Sequence, residues 1–330
     1  MPRALITDIA GIRITAPERS FLRAFDPLGI ILFRRNIGDP VQVGDLVASF
    51  RDIVGRADAP VMVDQEGGRV ARLGEPYWWP GLPPAMIARG GERAAWLAGR
   101  LLAHDMASLG IDVTCAPSLD LGLAGMNDVI GDRAFSHDPD RVSGLGAAFI
   151  DGLDAGGVQA TIKHMPGHGR VIEDPHHRLP RVDTDLAVLR EQDFVPFRRL
   201  AASPFGMVAH VVYTAIDSRN PASASPEVIR RIIRGELGFD GVLMTDAIDM
   251  EALSGPHEAR ARSCIAAGID VVMHCNQPLE VRERVAAATP ELAGDALERV
   301  VKAAAARRSP QPGFDPCTAR AELARLVATP

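Results

Sequence analysis

Short, continuous apolar runs alternate along the chain with longer stretches of helical periodicity. The runs are residues 4–11 (ALITDIAG), 29–34 (GIILFR), 59–66 (APVMVDQE), 111–117 (IDVTCAP), 158–164 (VQATIKH), 206–212 (GMVAHVV), 240–247 (DGVLMTDA) and 268–274 (GIDVVMH). Their apolar character is continuous, which predicts strands buried on both faces of a parallel sheet. Helical segments at 92–110, 141–157 and 225–238 supply crossovers, and the tail from 317 onward reads as a last helix packed on the outside. Eight such strands with crossovers predict an α/β fold, a (β/α)8 barrel of the TIM type. A doubly wound open sheet is the competing architecture, but it calls for a Gly-rich phosphate loop after the first strand, and ITDIAGIRIT is none. Without a repeat, a low-complexity tract or a Pro/Ser linker, residues 1–330 read as one domain.

Polar residues close several of these apolar runs. Asp64-Gln65-Glu66 follow the third, Lys163-His164 the fifth, His210 the sixth and Asp246 ends the seventh. In a barrel of this kind the active site lies at the C-terminal ends of the strands. Asp246 is therefore placed to act as nucleophile, general base or metal ligand, the alternative being a helix N-cap, a role that Asp249 fits better. Residues 163–180, KHMPGHGRVIEDPHHRLP, hold four of the nine histidines. Within that loop His176, two residues after Asp174, is the candidate acid/base: a neighbouring carboxylate fixes the tautomer, and an imidazole can both give and take a proton near neutrality.

Composition narrows the partners. With 47% hydrophobic and 24% charged residues the chain can bury a sizeable core, and a net charge of −6 gives no electrostatic reason to expect nucleic acid. The N-terminus lacks the pattern of a signal peptide, and no window reaches the roughly 18 apolar residues of a membrane span, so a cytoplasmic protein without membrane association is expected. Cys115, Cys264, Cys275 and Cys317 lack CxxC spacing and are expected to be buried reduced thiols.

Several motifs together resemble the family 3 glycoside hydrolases, in particular the single-domain bacterial β-N-acetylglucosaminidases of peptidoglycan recycling. They are VDQEGGRV (63–70), KHMPGHG (163–169) followed by DPHHRLP (174–180), and ELGFDGVLMTDAIDM (236–250), with GIILFRRNI, APSLDLG, GDRAFSHDP, AHVVYTAID and PASASP across the rest of the chain. The resemblance implies a (β/α)8 barrel acting on a small carbohydrate or muropeptide with no cofactor and no metal. It implies Asp246 as nucleophile, His176 with Asp174 as the acid/base dyad, and Asp64, Arg72, Arg133, Lys163 and His164 as contacts to the sugar. Arg69, in GGRV, is the motif arginine beside Arg72, with a structural role as its alternative. His168 reads as a loop-folding residue, and Gly167, Gly169 and Pro166 are expected to govern a swing of the loop that carries His176.

Two departures stand out. The family's usual Asp-Ser-His is Asp174-Pro175-His176 here, and the common Ser-Asp-Asp-Leu-Ser-Met is Thr245-Asp246-Ala247-Ile248-Asp249-Met250. Tyr77, Trp78 and Trp79 offer either ring stacking on a sugar or loop packing. The reading is a retaining exo-β-N-acetylglucosaminidase releasing terminal N-acetylglucosamine from muropeptides. The alternatives are a family 3 glycosidase or phosphorylase of other specificity, a metal-dependent hydrolase using His164, His168, His176, His210 and Asp246, and an inactive sugar-binding protein.

Overall fold

The computed structural model describes residues 1–125, 128–172, 179–251 and 253–328. Asp174 and His176 lie outside the described residues. Each of the eight apolar runs forms a strand: β1 (Arg3–Thr7), β2 (Pro27–Leu32), β3 (Val61–Val63), β4 (Val113–Thr114), β5 (Gln159–Met165), β6 (Phe205–Val208), β7 (Val242–Ala247) and β8 (Val271–Met273). They close into a barrel of parallel strands in the order β1-β8-β7-β6-β5-β4-β3-β2, with β1 pairing both β2 and β8. Closure leaves no unpaired edge, which is why strands as short as β4 persist.

Most runs are longer than the strands they make, the fourth and the sixth instructively so. The fourth is a regular strand only over Val113–Thr114, with single backbone bonds continuing on either side: the Asp112 N–H donates to the Val61 carbonyl at 3.2 Å and the Cys115 N–H to that of Val63 at 2.9 Å, while the Asp112 carboxylate accepts the Val61 N–H at 2.8 Å. The sixth breaks after Val208, and Val212–Tyr213 leaves the barrel to pair with Arg181–Val182.

Helices follow the strands. α1 (Ala16–Phe25) begins at a Thr15/Glu18 capping box, α2 (Pro40–Val54) at an Asp39 cap, and α4 (Pro139–Ala155) at an Asp138 cap, each with proline in the first turn. α3 (Gly91–Ser108) packs against α4 through glycines. A Cβ on Gly152 would stand 2.1 Å from the Trp96 carbonyl oxygen, and one on Gly99 2.2 Å from that of Phe149. Two larger residues there would hold the helices apart. The predicted helix at 225–238 forms over Glu227–Glu236 and is wound wider than an α-helix, with the Leu237 N–H reaching the Ile232 carbonyl at 2.8 Å. The tail forms Pro316–Ala328, burying Ala319 and Leu323 and pairing Glu322 with Arg93 at 2.8 Å. Cys115, Cys264 and Cys275 are buried free thiols, whereas Cys317 is exposed, because it sits at the start of this outer helix on its solvent side. Among the described residues no helix is long and apolar enough to cross a membrane.

Candidate active site

At the C-terminal ends of the strands the barrel opens into a cavity of about 520 Å³ lined by Asp64, Arg72, Arg133, Lys163, His164 and Asp246, together with Glu66, Arg69, His168 and Asp249. All the predicted site residues that fall within the described chain meet there, from strands β3, β5 and β7 and the loop that ends at Arg133. A second, mainly apolar cavity of about 170 Å³ lies at the opposite face, between Leu28, Phe205 and Val300, and no candidate site residue reaches it.

Two buried carboxylates organise the cavity. Glu66 accepts from Arg133 Nε and Nη2 at 2.9 and 2.8 Å and pairs with Lys163 Nζ at 2.6 Å. Burial alone would raise its pKa, but the charges of Lys163 and Arg133 outweigh it and hold the carboxyl well below the usual range. Lys163 is correspondingly raised: burial disfavours its charge, and Glu66 and Asp64 more than restore it. Asp64 bridges Lys163 at 3.3 Å and Arg72 at 3.0 Å. Arg133 also donates Nη1 to the Val129 carbonyl at 2.9 Å, so three of its five N–H groups are engaged and two remain without a partner among the described residues.

The second organiser is Asp120. It accepts the His164 ring Nδ1–H at 2.6 Å and the backbone N–H of His168 at 2.6 Å, and its partner Ser118 donates at 2.9 Å. Burial opposes its ionisation, and His164 overrides that and lowers its pKa. Fixing the proton on Nδ1 leaves Nε2 as the nitrogen His164 turns to the cavity. The peptide bond between Lys163 and His164 is cis.

Asp246 ends β7 with Oδ1 accepting the Ala247 N–H at 2.8 Å. Burial pushes its pKa up, but His164, His210, that N–H and Lys163 together bring it below the ordinary value. Its carboxylate is ionised at neutral pH and faces a cavity wall rich in donors. Neither Asp246 nor Asp249 caps a helix: the next one starts at His257, and Asp249 accepts weakly from Cys275 and Asn276 at 3.6 and 3.5 Å. His210 stands behind the cavity rather than in it. Its Nε2–H donates to the Ala247 carbonyl at 3.2 Å and Nδ1 accepts from Ser223 at 2.7 Å, which pins the end of β7.

One expectation needs correction, and two alternatives that the sequence leaves open take a side. Gly167 and Gly169 do not form a hinge: a Cβ on Gly169 would stand 2.3 Å from the Leu121 carbonyl oxygen, and Tyr213 clamps the Gly167 carbonyl at 2.7 Å, so both are packed. Arg69 is committed to Asp132 at 2.7 Å and to carbonyls of residues 128–130, while Arg72 is the arginine on Asp64. Of the aromatic trio none lines the Asp246 cavity: Trp78 is buried in the core, Trp79 packs beside Arg320, and Tyr77 borders a separate groove with Ile12 and Val41. Among the described residues no group of three or more His, Cys, Asp or Glu side chains is arranged to hold a metal ion. Glu66 and Asp120 were not predicted as site residues, although VDQE and PSLD carry them; their partners are supplied by other strands.

The Glycosyl hydrolase family 3 N terminal domain matches residues 7–307. A beta-hexosaminidase of Chromobacterium violaceum is 39% identical, the match covering 100% of this chain and 92% of that protein. The structure of NagZ from Neisseria gonorrhoeae in complex with N-trifluoroacetyl-D-glucosamine superposes with a TM-score of 0.87 at 33% identity over 99% of both chains. A family 3 β-N-acetylglucosaminidase from Paenibacillus sp. superposes with a TM-score of 0.86 at 29% identity, covering 98% of this chain and 66% of that longer one. The chain belongs to glycosyl hydrolase family 3 and is a glycoside hydrolase.

Proposed function

We propose that this protein is a retaining exo-β-N-acetylglucosaminidase of the cytoplasm that frees terminal N-acetylglucosamine from muropeptides bearing an anhydro-N-acetylmuramic acid. The observation that carries the reading is Asp246, an ionised carboxylate at the end of a barrel strand, facing a cavity that it shares with the donors Lys163, Arg72 and Arg133 and the carboxylate of Asp64. Similarity to proteins named beta-hexosaminidase, and to one solved with an N-acylated glucosamine, supports the choice of sugar.

In this reading Asp246 attacks the anomeric carbon as the bond to the aglycone oxygen breaks, and His176 gives its proton to that oxygen. Water then loses a proton to His176, attacks the same carbon and releases Asp246, while Asp174 holds the imidazole in the required tautomer. Lys163, with one Nζ–H beyond its two carboxylates, and the two remaining N–H groups of Arg133 are donors to the sugar oxygens, while His164, its proton held on Nδ1 by Asp120, accepts from a sugar hydroxyl through Nε2. Asp64 accepts from sugar hydroxyls.

The test is the ratio of kcat/KM for 4-nitrophenyl β-N-acetylglucosaminide over the matching β-glucoside, with chelator present and phosphate absent. A ratio far above one is expected. A ratio near one would overturn the sugar assignment, and activity appearing only with added phosphate would identify a phosphorylase.

A further inference from the structure

His168 projects into the same cavity from the PGHG turn, 5.5 Å from His164 between ring centroids. Its fold-related task belongs to the backbone: the His168 N–H donates to Asp120 at 2.6 Å and its carbonyl accepts from Val171 at 3.2 Å, which any residue there would do. The imidazole itself has other properties. The residue is 6% exposed, and its Nδ1 is buried without a hydrogen-bond partner. A buried N–H with no acceptor is rarer in proteins than a bare acceptor, so the proton belongs on Nε2. That nitrogen also has no protein partner among the described residues, and the ring borders the cavity.

Resting on the reading of the cavity as an N-acetylglucosamine site, we propose that His168 is a further substrate-binding residue whose Nε2–H donates to a ring hydroxyl or to the acetamido oxygen of the sugar that Asp246 attacks. Burial first, and then the neighbouring His164, lower the imidazole to about 4, so it is neutral at working pH. A neutral imidazole here donates a hydrogen bond without competing with His176 as the proton source. Gly169, jammed against the Leu121 carbonyl, fixes where the ring stands.

The experiment measures kcat/KM of the wild type, His168→Gln and His168→Leu on 4-nitrophenyl β-N-acetylglucosaminide and on its 3-deoxy, 4-deoxy, 6-deoxy and acetamido-free analogues. Glutamine can keep a donor near Nε2, and leucine cannot. We expect His168→Leu to lose about ten- to one-hundredfold on the parent and His168→Gln to recover most of that, the range for one donor facing a substrate oxygen. On the one analogue lacking the accepted oxygen, wild type and His168→Leu should be equal. A loss uniform across all five substrates, or no loss on the parent, overturns the assignment to His168. Absence of wild-type turnover on the parent overturns instead the reading of the cavity on which it rests.

Discussion

Glu66 is the counter-charge to both Lys163 and Arg133, and all three side chains are largely withdrawn from water. Replacing it with glutamine would leave two cations sharing a neutral amide. Breaking such a buried network costs about 3–5 kcal/mol, so Glu66→Gln should lower the unfolding free energy by that much and also reduce turnover, because Lys163 loses its shorter anchor. Urea unfolding together with kcat/KM checks both; a variant as stable as the wild type would contradict the role given to Glu66. For His176, the proposed acid/base residue, the chemistry predicts asymmetry. His176→Ala should slow substrates with poor leaving groups far more than 4-nitrophenyl glycosides, which depart without a proton, and equal losses on both would remove His176 from that role. Asp246, Asp64, Lys163 and His164 were legible in the sequence because a polar side chain closing an apolar run is out of place in a core and marks the mouth of a barrel. Glu66 closes the same run as Asp64, but its pairing with Lys163 was not legible, nor was that of Asp120 with His164, since these partners lie 97 and 44 residues away and only the closed barrel brings them together.

At the scale of elements, β5 and the turn after it do most of the positioning. Lys163 and His164 sit on the strand, His168 and Gly169 on the turn, and the contacts to Leu121 and Tyr213 fix that turn up to Gly169. A methyl group on Gly169 would meet backbone that cannot yield. Gly169→Ala should therefore cost about 1–3 kcal/mol of stability and, by displacing His168, raise KM as well. Gly152→Ala is the control: it forces α3 and α4 apart by a similar clash but lies far from the cavity. It should cost stability on the same scale while the folded enzyme keeps its kcat/KM. Differential scanning calorimetry paired with steady-state kinetics separates the two, and a KM change in Gly152→Ala would contradict the division. The strands were readable from their continuous apolar character. The glycine seam between α3 and α4 was not, because a glycine inside a helix looks like a weakness until the facing helix is known.

For the whole molecule, burial couples stability to pH. His168 is lowered to about 4 and His274 to about 3, both first by desolvation. In the unfolded chain each imidazole takes up a proton near pH 6.5. As pH falls below that value the unfolded state binds protons that the folded state refuses, so stability present above pH 6.5 is lost progressively toward pH 4. The loss for His168 alone is on the order of 3 kcal/mol. The melting temperature should fall between pH 6.5 and 4.5, and less steeply in His168→Gln; identical slopes would mean that the ring is not buried in its neutral form. The barrel as a whole was legible, since eight apolar runs joined by helical segments admit few closures. The central claim, that Asp246 forms a bond to the sugar, is tested most directly with a 5-fluoro N-acetylglucosaminyl fluoride. Proteolysis and mass spectrometry of the inactivated enzyme should place the fluorosugar on Asp246. An adduct on another residue, or steady turnover of the probe with no adduct at all, would contradict it.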